Sequence, residues 1–150
     1  MKYLIVVLVT FFSFCNVEAQ PKDPITWTYA ATKKSDHVYD VVIKATLPKP
    51  WHIYSQNTGD GGPIPTKITF NKNPLVNFVG KIVEIGKLEK TYDENFKTNV
   101  LNYSNEVSFV QTINLKVAAK TRVIAKVEYM VCNDEMCLPP TTKQFSININ

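Results

Sequence analysis

The sequence predicts an all-β fold, an immunoglobulin-like antiparallel β-sandwich, and three observations carry that prediction. Apolar residues alternate with period two over most of the chain after Ile25. β-Branched and aromatic residues fill those runs, and Pro, Gly, Asn and Asp separate them at short intervals. No window of about eleven residues carries a capped apolar stripe of helical period. Roughly seven to nine short strands so punctuated make a two-sheet sandwich, with a small closed barrel as the alternative.

Taken in order, Ile25, Trp27 and Tyr29 share one face of a first strand. Tyr39, Val41, Ile43, Ala45 and Leu47 share the core face of a second, with Lys33-Lys34-Ser35-Asp36 as a polar turn between them. Pro48 and Pro50 end that strand, because proline donates nothing to a ladder. Trp51 to Gln56 is a short extended segment, and Asn57 to Pro65, rich in Gly and Pro, is an irregular loop. Thr66 to Phe70 and Leu75 to Val79 read as short strands around the Asn71-Lys72-Asn73-Pro74 turn. Lys87 to Thr98 is polar and poorly periodic, so it reads as a loop. Val107, Phe109, Ile113, Leu115 and Val117 then line one strand face, interrupted by Gln111. Val123, Val127, Tyr129 and Val131 line the next, and Phe145, Ile147 and Ile149 the last. Trp27 and Trp51 are expected in the core.

Residues 1–19 have the form of a secretory signal peptide: Lys2, an apolar run from Leu4 to Phe14, and small residues at the Val17-Glu18-Ala19 site. The apolar run is shorter than the roughly 20 residues a membrane span needs. Cys15 would be the lipidated residue of a lipoprotein signal, but Phe14 stands where a small residue should. Residues 20–150 then form one domain, periplasmic or secreted, with no membrane span after cleavage. Its net charge of +4 is mild and its lysines are scattered, which gives no case for nucleic acid or a membrane surface.

Export leaves Cys132 and Cys137 in an oxidising compartment, where a nearby pair is expected to form a disulfide. As a crosslink it is weak: a loop this short contributes about 2 kcal/mol in the chain-entropy model, against roughly 4–5 for a loop near a hundred residues. A short loop also suits a redox couple, because the second sulfur is within reach to resolve a mixed disulfide. Both readings stand on the residues alone. Asp134 and Glu135 oppose thiolate formation, so a reduced pair here is expected to be a slow general nucleophile. His37 and His52 are not at zinc-finger spacing, and no metal or other cofactor is expected. Gly59-Asp60-Gly61-Gly62 lacks the lysine of a phosphate loop. Asp93 and Glu94 read as solvated, and Asn102-Tyr103-Ser104 matches a glycosylation sequon without supporting context.

From Tyr129 to Lys143 the sequence is more specific. Tyr-Met-Val-Cys132, an Asn-Asp-Glu-Met spacer, Cys137 and Leu-Pro-Pro resemble the cysteine segment of the N-terminal periplasmic domain of the thiol:disulfide interchange protein DsbD. Lys49 to Gln56 and Gly61 to Thr66 are similar to that family's upstream signature. The resemblance implies an immunoglobulin-like domain that relays electrons by thiol–disulfide exchange. Its expected partners are thioredoxin-like proteins: a reductant on one side, and disulfide isomerases or cytochrome c maturation thioredoxins on the other. It makes Cys132 and Cys137 the redox couple, with Cys137 forming the mixed disulfide and Cys132 resolving it. It also implies a cap loop over the pair, with Phe96 the first candidate for the covering aromatic and Tyr92 the second. Proteobacterial members commonly have one more residue between the cysteines, so the local geometry is expected to differ. The family protein continues into a membrane region and a thioredoxin-like domain, whereas this chain stops at Asn150, so a separate reductant is expected. The competing expectation is a secreted β-sandwich binding module with a purely structural disulfide.

Overall fold

The period-two pattern resolves into two antiparallel sheets that share one core. The computed structural model describes residues 23–150; the predicted leader, its cleavage site and Cys15 lie outside the described residues. The strands among them are β1 (Thr26–Ser35), β2 (Val38–Thr46), β3 (His52–Tyr54), β4 (Lys67–Phe70), β5 (Val76–Asp93), β6 (Thr98–Leu115), β7 (Thr121–Tyr129), β8 (Val131–Cys132) and β9 (Thr141–Ile149).

β6 organises the larger sheet. One of its edges pairs with β5 along nearly the whole strand. The other pairs with β2 over Glu106–Asn114 and with β3 over Asn102–Ser104. β1 flanks β2, and β8 flanks β3. In the smaller sheet β7 lies between β4 and β9. Val41, Ile43, Val107, Phe109 and Ile113 of the larger sheet meet Val123, Val127, Ile147 and Ile149 of the smaller in one apolar cluster. Each such side chain contributes roughly 1.5–3 kcal/mol when fully buried. Neither cysteine is part of this cluster.

Gln111, the interruption on the core face of β6, is buried but satisfied: its Nε2 donates to the Val79 carbonyl at 2.9 Å and the Thr112 carbonyl at 2.8 Å. Trp27 packs against Tyr129 and Phe145, with ring centroids 5.1 and 5.6 Å away. Trp51 also packs on the core, partly buried.

Four expectations about the strands need correction. Val131 does not continue the face of β7: that strand ends at Tyr129, and Val131 belongs to β8, paired with β3 in the larger sheet. The Lys33–Asp36 turn is shorter than read: β1 runs to Ser35, and the chain reverses at Asp36-His37, where His37 takes the left-handed conformation (φ 63°). Val117 lies past the end of β6 and is exposed. The largest difference is β5, which continues through the stretches read as a short strand and a polar loop, as far as Asp93. As an edge strand it takes its order from backbone pairing with β6, and most of its side chains are exposed, so no buried face writes a period-two pattern into it. Its pairing shifts register twice, next to Gly80 (φ 70°) and at Gly86, where a Cβ would meet the Glu106 carbonyl oxygen at 2.9 Å. The Glu84 carboxylate then ties β5 inward, accepting from Ser55 Oγ (2.6 Å), the Gln56 N–H (2.7 Å) and Tyr103 Oη (3.0 Å). This long hairpin delivers its tip to the cysteine end of the sheet.

Candidate functional site

The cysteine segment begins where β8 pairs with β3, placing Ile53 opposite Val131 and His52 opposite Cys132. Alternation along the strand sends Val131 into the main core and Cys132 to the other face. The spacer then closes as a tight turn. Asn133 Oδ1 accepts the N–H groups of Glu135 (2.9 Å) and Met136 (2.7 Å), and the Asn133 N–H donates to the Met136 carbonyl at 2.9 Å. The Leu138 N–H returns to the Val131 carbonyl at 2.9 Å. Held in this way, the two cysteines stand with Cα atoms 4.0 Å apart and are joined by a disulfide. Cys132 is fully buried, whereas Cys137 is only partly so.

The pair belongs to a small cluster separate from the main core. Tyr54, Val100 and Cys132 form its centre, and Phe96, Met130 and Cys137 pack on it. Phe96 comes from the turn joining β5 to β6. Its ring stands edge-on to Tyr54, with centroids 6.3 Å apart and planes at 89°. Tyr92, the second aromatic predicted for the cap, is half exposed and is not among the side chains packed on this cluster.

Asp93 holds that turn in place. Its Oδ1 accepts the N–H groups of Asn95 (2.9 Å) and Phe96 (3.3 Å), and its Oδ2 accepts the Tyr54 hydroxyl at 2.6 Å. The reading of Asp93 as solvated is thus wrong: it is buried, and only Glu94 is exposed, paired with Lys97 at 2.7 Å. Burial and then the Asp93 carboxylate push the Tyr54 phenol well above its usual range, so it remains a donor. His52 Nε2 lies 3.3 Å from the same hydroxyl. Neither Asp93 nor His52 belongs to a buried apolar run; an aspartate opening a short polar stretch is the only local hint of the turn. The sequon asparagine, Asn102, is buried in the first part of β6, and its Nδ2, the atom that would be modified, is engaged by Thr91 Oγ1 at 2.6 Å. His37 lies at the β1–β2 turn, with Nδ1 3.2 Å from the Leu115 carbonyl, and takes no part in the site.

The site thus joins a disulfide closing a four-residue turn to an aromatic side chain that packs on the same cluster from a separate hairpin. The family model for the N-terminal part of the thiol:disulfide interchange protein DsbD matches residues 17–149. The chain belongs to that family. Among solved structures, the reduced DsbD N-terminal domain of Neisseria meningitidis aligns at TM-score 0.59 and 16% identity, covering 89% of this chain and 91% of its own. The N-terminal periplasmic domain of ScsB from Proteus mirabilis aligns at TM-score 0.59 and 16% identity, over 87% of this chain and 48% of its own. A structure of the complex between the DsbD and PilB N-terminal domains of N. meningitidis aligns at TM-score 0.56 and 16% identity, over 87% and 88%. At that identity the likeness is one of fold, and it places this DsbD N-terminal domain among immunoglobulin-like β-sandwiches. No curated protein sequence matches.

In this DsbD-family domain His52 carries a pH dependence. Burial lowers its pKa below the ordinary 6.5, and the Asp93, Asp134 and Glu89 carboxylates only partly offset that. Below pH 6.5 the unfolded chain binds a proton at this residue that the folded chain does not, so His52 costs stability as the pH falls from 6.5 towards its folded value. Between pH 7.5 and 5.5 the wild type is expected to lose more urea resistance than His52→Gln. Equal losses in the two proteins would rule this out.

Proposed function

We propose that this domain is a periplasmic electron relay that works by thiol–disulfide exchange through Cys132 and Cys137. The observation that carries the reading is where the disulfide sits. It ties neither sheet to the other, but closes a turn outside the main core, under a side chain from another hairpin. A bridge so placed adds little to the sandwich and remains available to a partner once Phe96 moves.

In the direction of substrate reduction, the Cys137 thiolate attacks a partner disulfide, forming a mixed disulfide and expelling one partner thiolate. The Cys132 thiolate then attacks Cys137 Sγ and releases the second. The partner gains two electrons and two protons, and the Cys132–Cys137 bond re-forms. A thioredoxin-like dithiol restores the couple by the reverse sequence. Cys137 takes the attacking role because it is the less buried sulfur of the two. The donor and the acceptors are thioredoxin-like proteins, such as disulfide isomerases or cytochrome c maturation thioredoxins. Among the described residues no helix is long and apolar enough to cross a membrane.

The test is the reduction potential of the folded domain, read by alkylation of free thiols after equilibration in dithiothreitol redox buffers. A relay couple titrates well above the roughly −300 mV typical of structural bridges. A midpoint at or below that level would leave a secreted β-sandwich binding module with a purely structural disulfide.

A further inference from the structure

Beside the cysteine hairpin lies a groove of about 270 Å³ whose walls include His52, Glu89, Tyr92, Glu94, Asn102 and Asp134. Although the chain carries a net charge of +4, no lysine or arginine lines this groove, and four carboxylates do (Glu89, Asp93, Glu94 and Asp134). At its wall Asn102 is only 3% exposed; its Nδ2 donates to Thr91 Oγ1 at 2.6 Å, and its Oδ1 has no partner. This acceptor is closed off from solvent at the groove wall; a buried acceptor left bare costs about 1–3 kcal/mol, so a ligand that displaces the wall and donates to it recovers that cost. The Asp134 carboxylate has no ion pair or hydrogen bond among the described residues, and it sits two positions from Cys132. Asp93 is already occupied by Tyr54 and the turn, and Glu89 keeps a partial role with Lys87 and Ser104. No three of the described acidic, histidine or cysteine side chains converge closely enough to hold a metal ion.

Acceptors spread along a narrow groove, some charged and one neutral, suit a planar donor with several N–H groups better than a compact ammonium. We propose that the groove is a socket for an arginine side chain of the exchange partner, whose guanidinium is received by Asp134, Glu89 and Asn102 Oδ1. This rests on the exchange reading of the couple and specifies the chemistry by which the partner is recognised. A partner arginine seated there is anchored next to the sulfurs while Cys137 attacks. Neutral His52 leaves the groove's negative field intact at neutral pH.

Two measurements test the socket. The isotopically labelled, oxidised domain is titrated with N-acetyl-arginine amide and with its uncharged isostere N-acetyl-citrulline amide, and followed by NMR. The Asn102 side-chain amide and the Asp134 backbone amide are expected to shift with the arginine compound and not with the citrulline one. The arginine response should disappear in Asp134→Asn, an exposed substitution that leaves the fold intact. Separately, the reduced domain reacts with short peptides carrying a cysteine–thionitrobenzoate disulfide next to arginine or citrulline. Cys137 attacks the peptide sulfur and expels thionitrobenzoate, and Cys132 then releases the peptide thiol. One charge-assisted contact predicts release about tenfold faster from the arginine peptide. Asp134→Asn should bring that ratio near one, while Glu135→Gln, on the hairpin but outside the groove, leaves it unchanged. Equal shifts with both compounds, a wild-type ratio near one, or an equal loss in Glu135→Gln would overturn the socket. Failure of both peptides to react would sink the exchange reading instead, and the titration would still decide on the groove.

Discussion

Replacing Cys137 with serine is expected to abolish exchange with any partner, down to the background of the uncatalysed reaction, whereas Cys132→Ser should accumulate a partner-linked adduct. The asymmetry follows from the burial of the two sulfurs. Cys132 is fully buried under Tyr54, Val100 and the hairpin, while Cys137 is the partly exposed member. A partner disulfide therefore meets Cys137 first, and a serine there has no sulfur with which to form the intermediate. With serine at position 132 the first attack proceeds, but nothing displaces the partner afterwards. Both variants should fold, because a loop this short contributes only about 2 kcal/mol as a crosslink and the sandwich core does not include the pair. The readout is a mixed disulfide on a non-reducing gel with a thioredoxin-like protein as bait. A trapped adduct in Cys137→Ser but not in Cys132→Ser would reverse the assignment. No adduct in either variant would support the structural bridge.

The parts of this molecule that announce themselves in the sequence are those with one face in the core. Tyr39, Val41, Ile43, Ala45 and Leu47 alternate because β2 has a dry side, and all five are buried as expected. β5 has no such side over most of its length, so its lysines and glutamates looked like a loop although the backbone pairs with β6 along nearly the whole strand. The same blindness covers the site. Family resemblance pointed to the cysteines and to Phe96, but Asp93, Tyr54 and His52 meet beside them through contacts between strands distant in sequence. Tyr54 and Asp93 are 39 positions apart and meet only because the β5–β6 hairpin folds over the end of β3. Polar networks of this kind leave no periodic trace. The bare acceptor of Asn102 is less legible still, since its partner, on the reading above, is another molecule.

Phe96→Ala is expected to speed alkylation of the reduced cysteines by about 30-fold. The ring is partly buried on the cysteine cluster, and half of a phenylalanine's burial contributes about 1–1.5 kcal/mol. Its edge-on contact with Tyr54 adds about 0.5–1 kcal/mol. Losing roughly 2 kcal/mol of cover shifts the closed–open balance by about 30-fold, and reagents that reach the sulfurs only in the open form gain that factor. The turn itself should survive, because Asp93 holds it through the Asn95 and Phe96 N–H groups and through Tyr54, and alanine retains the N–H at position 96. Global stability should fall much less than the cover does, since Phe96 lies outside the main core. Iodoacetamide kinetics and urea unfolding on the same preparation separate the two effects. Phe96→Leu should restore most of the protection, and Tyr92→Ala should change alkylation less than about twofold, because half of that ring is already in solvent and it does not pack on the cluster. If alkylation stayed at the wild-type rate while unfolding shifted strongly, Phe96 would be an ordinary packing residue and the couple would need another guard. If Tyr92→Ala had the larger effect, the cover would belong to β5 and not to the turn.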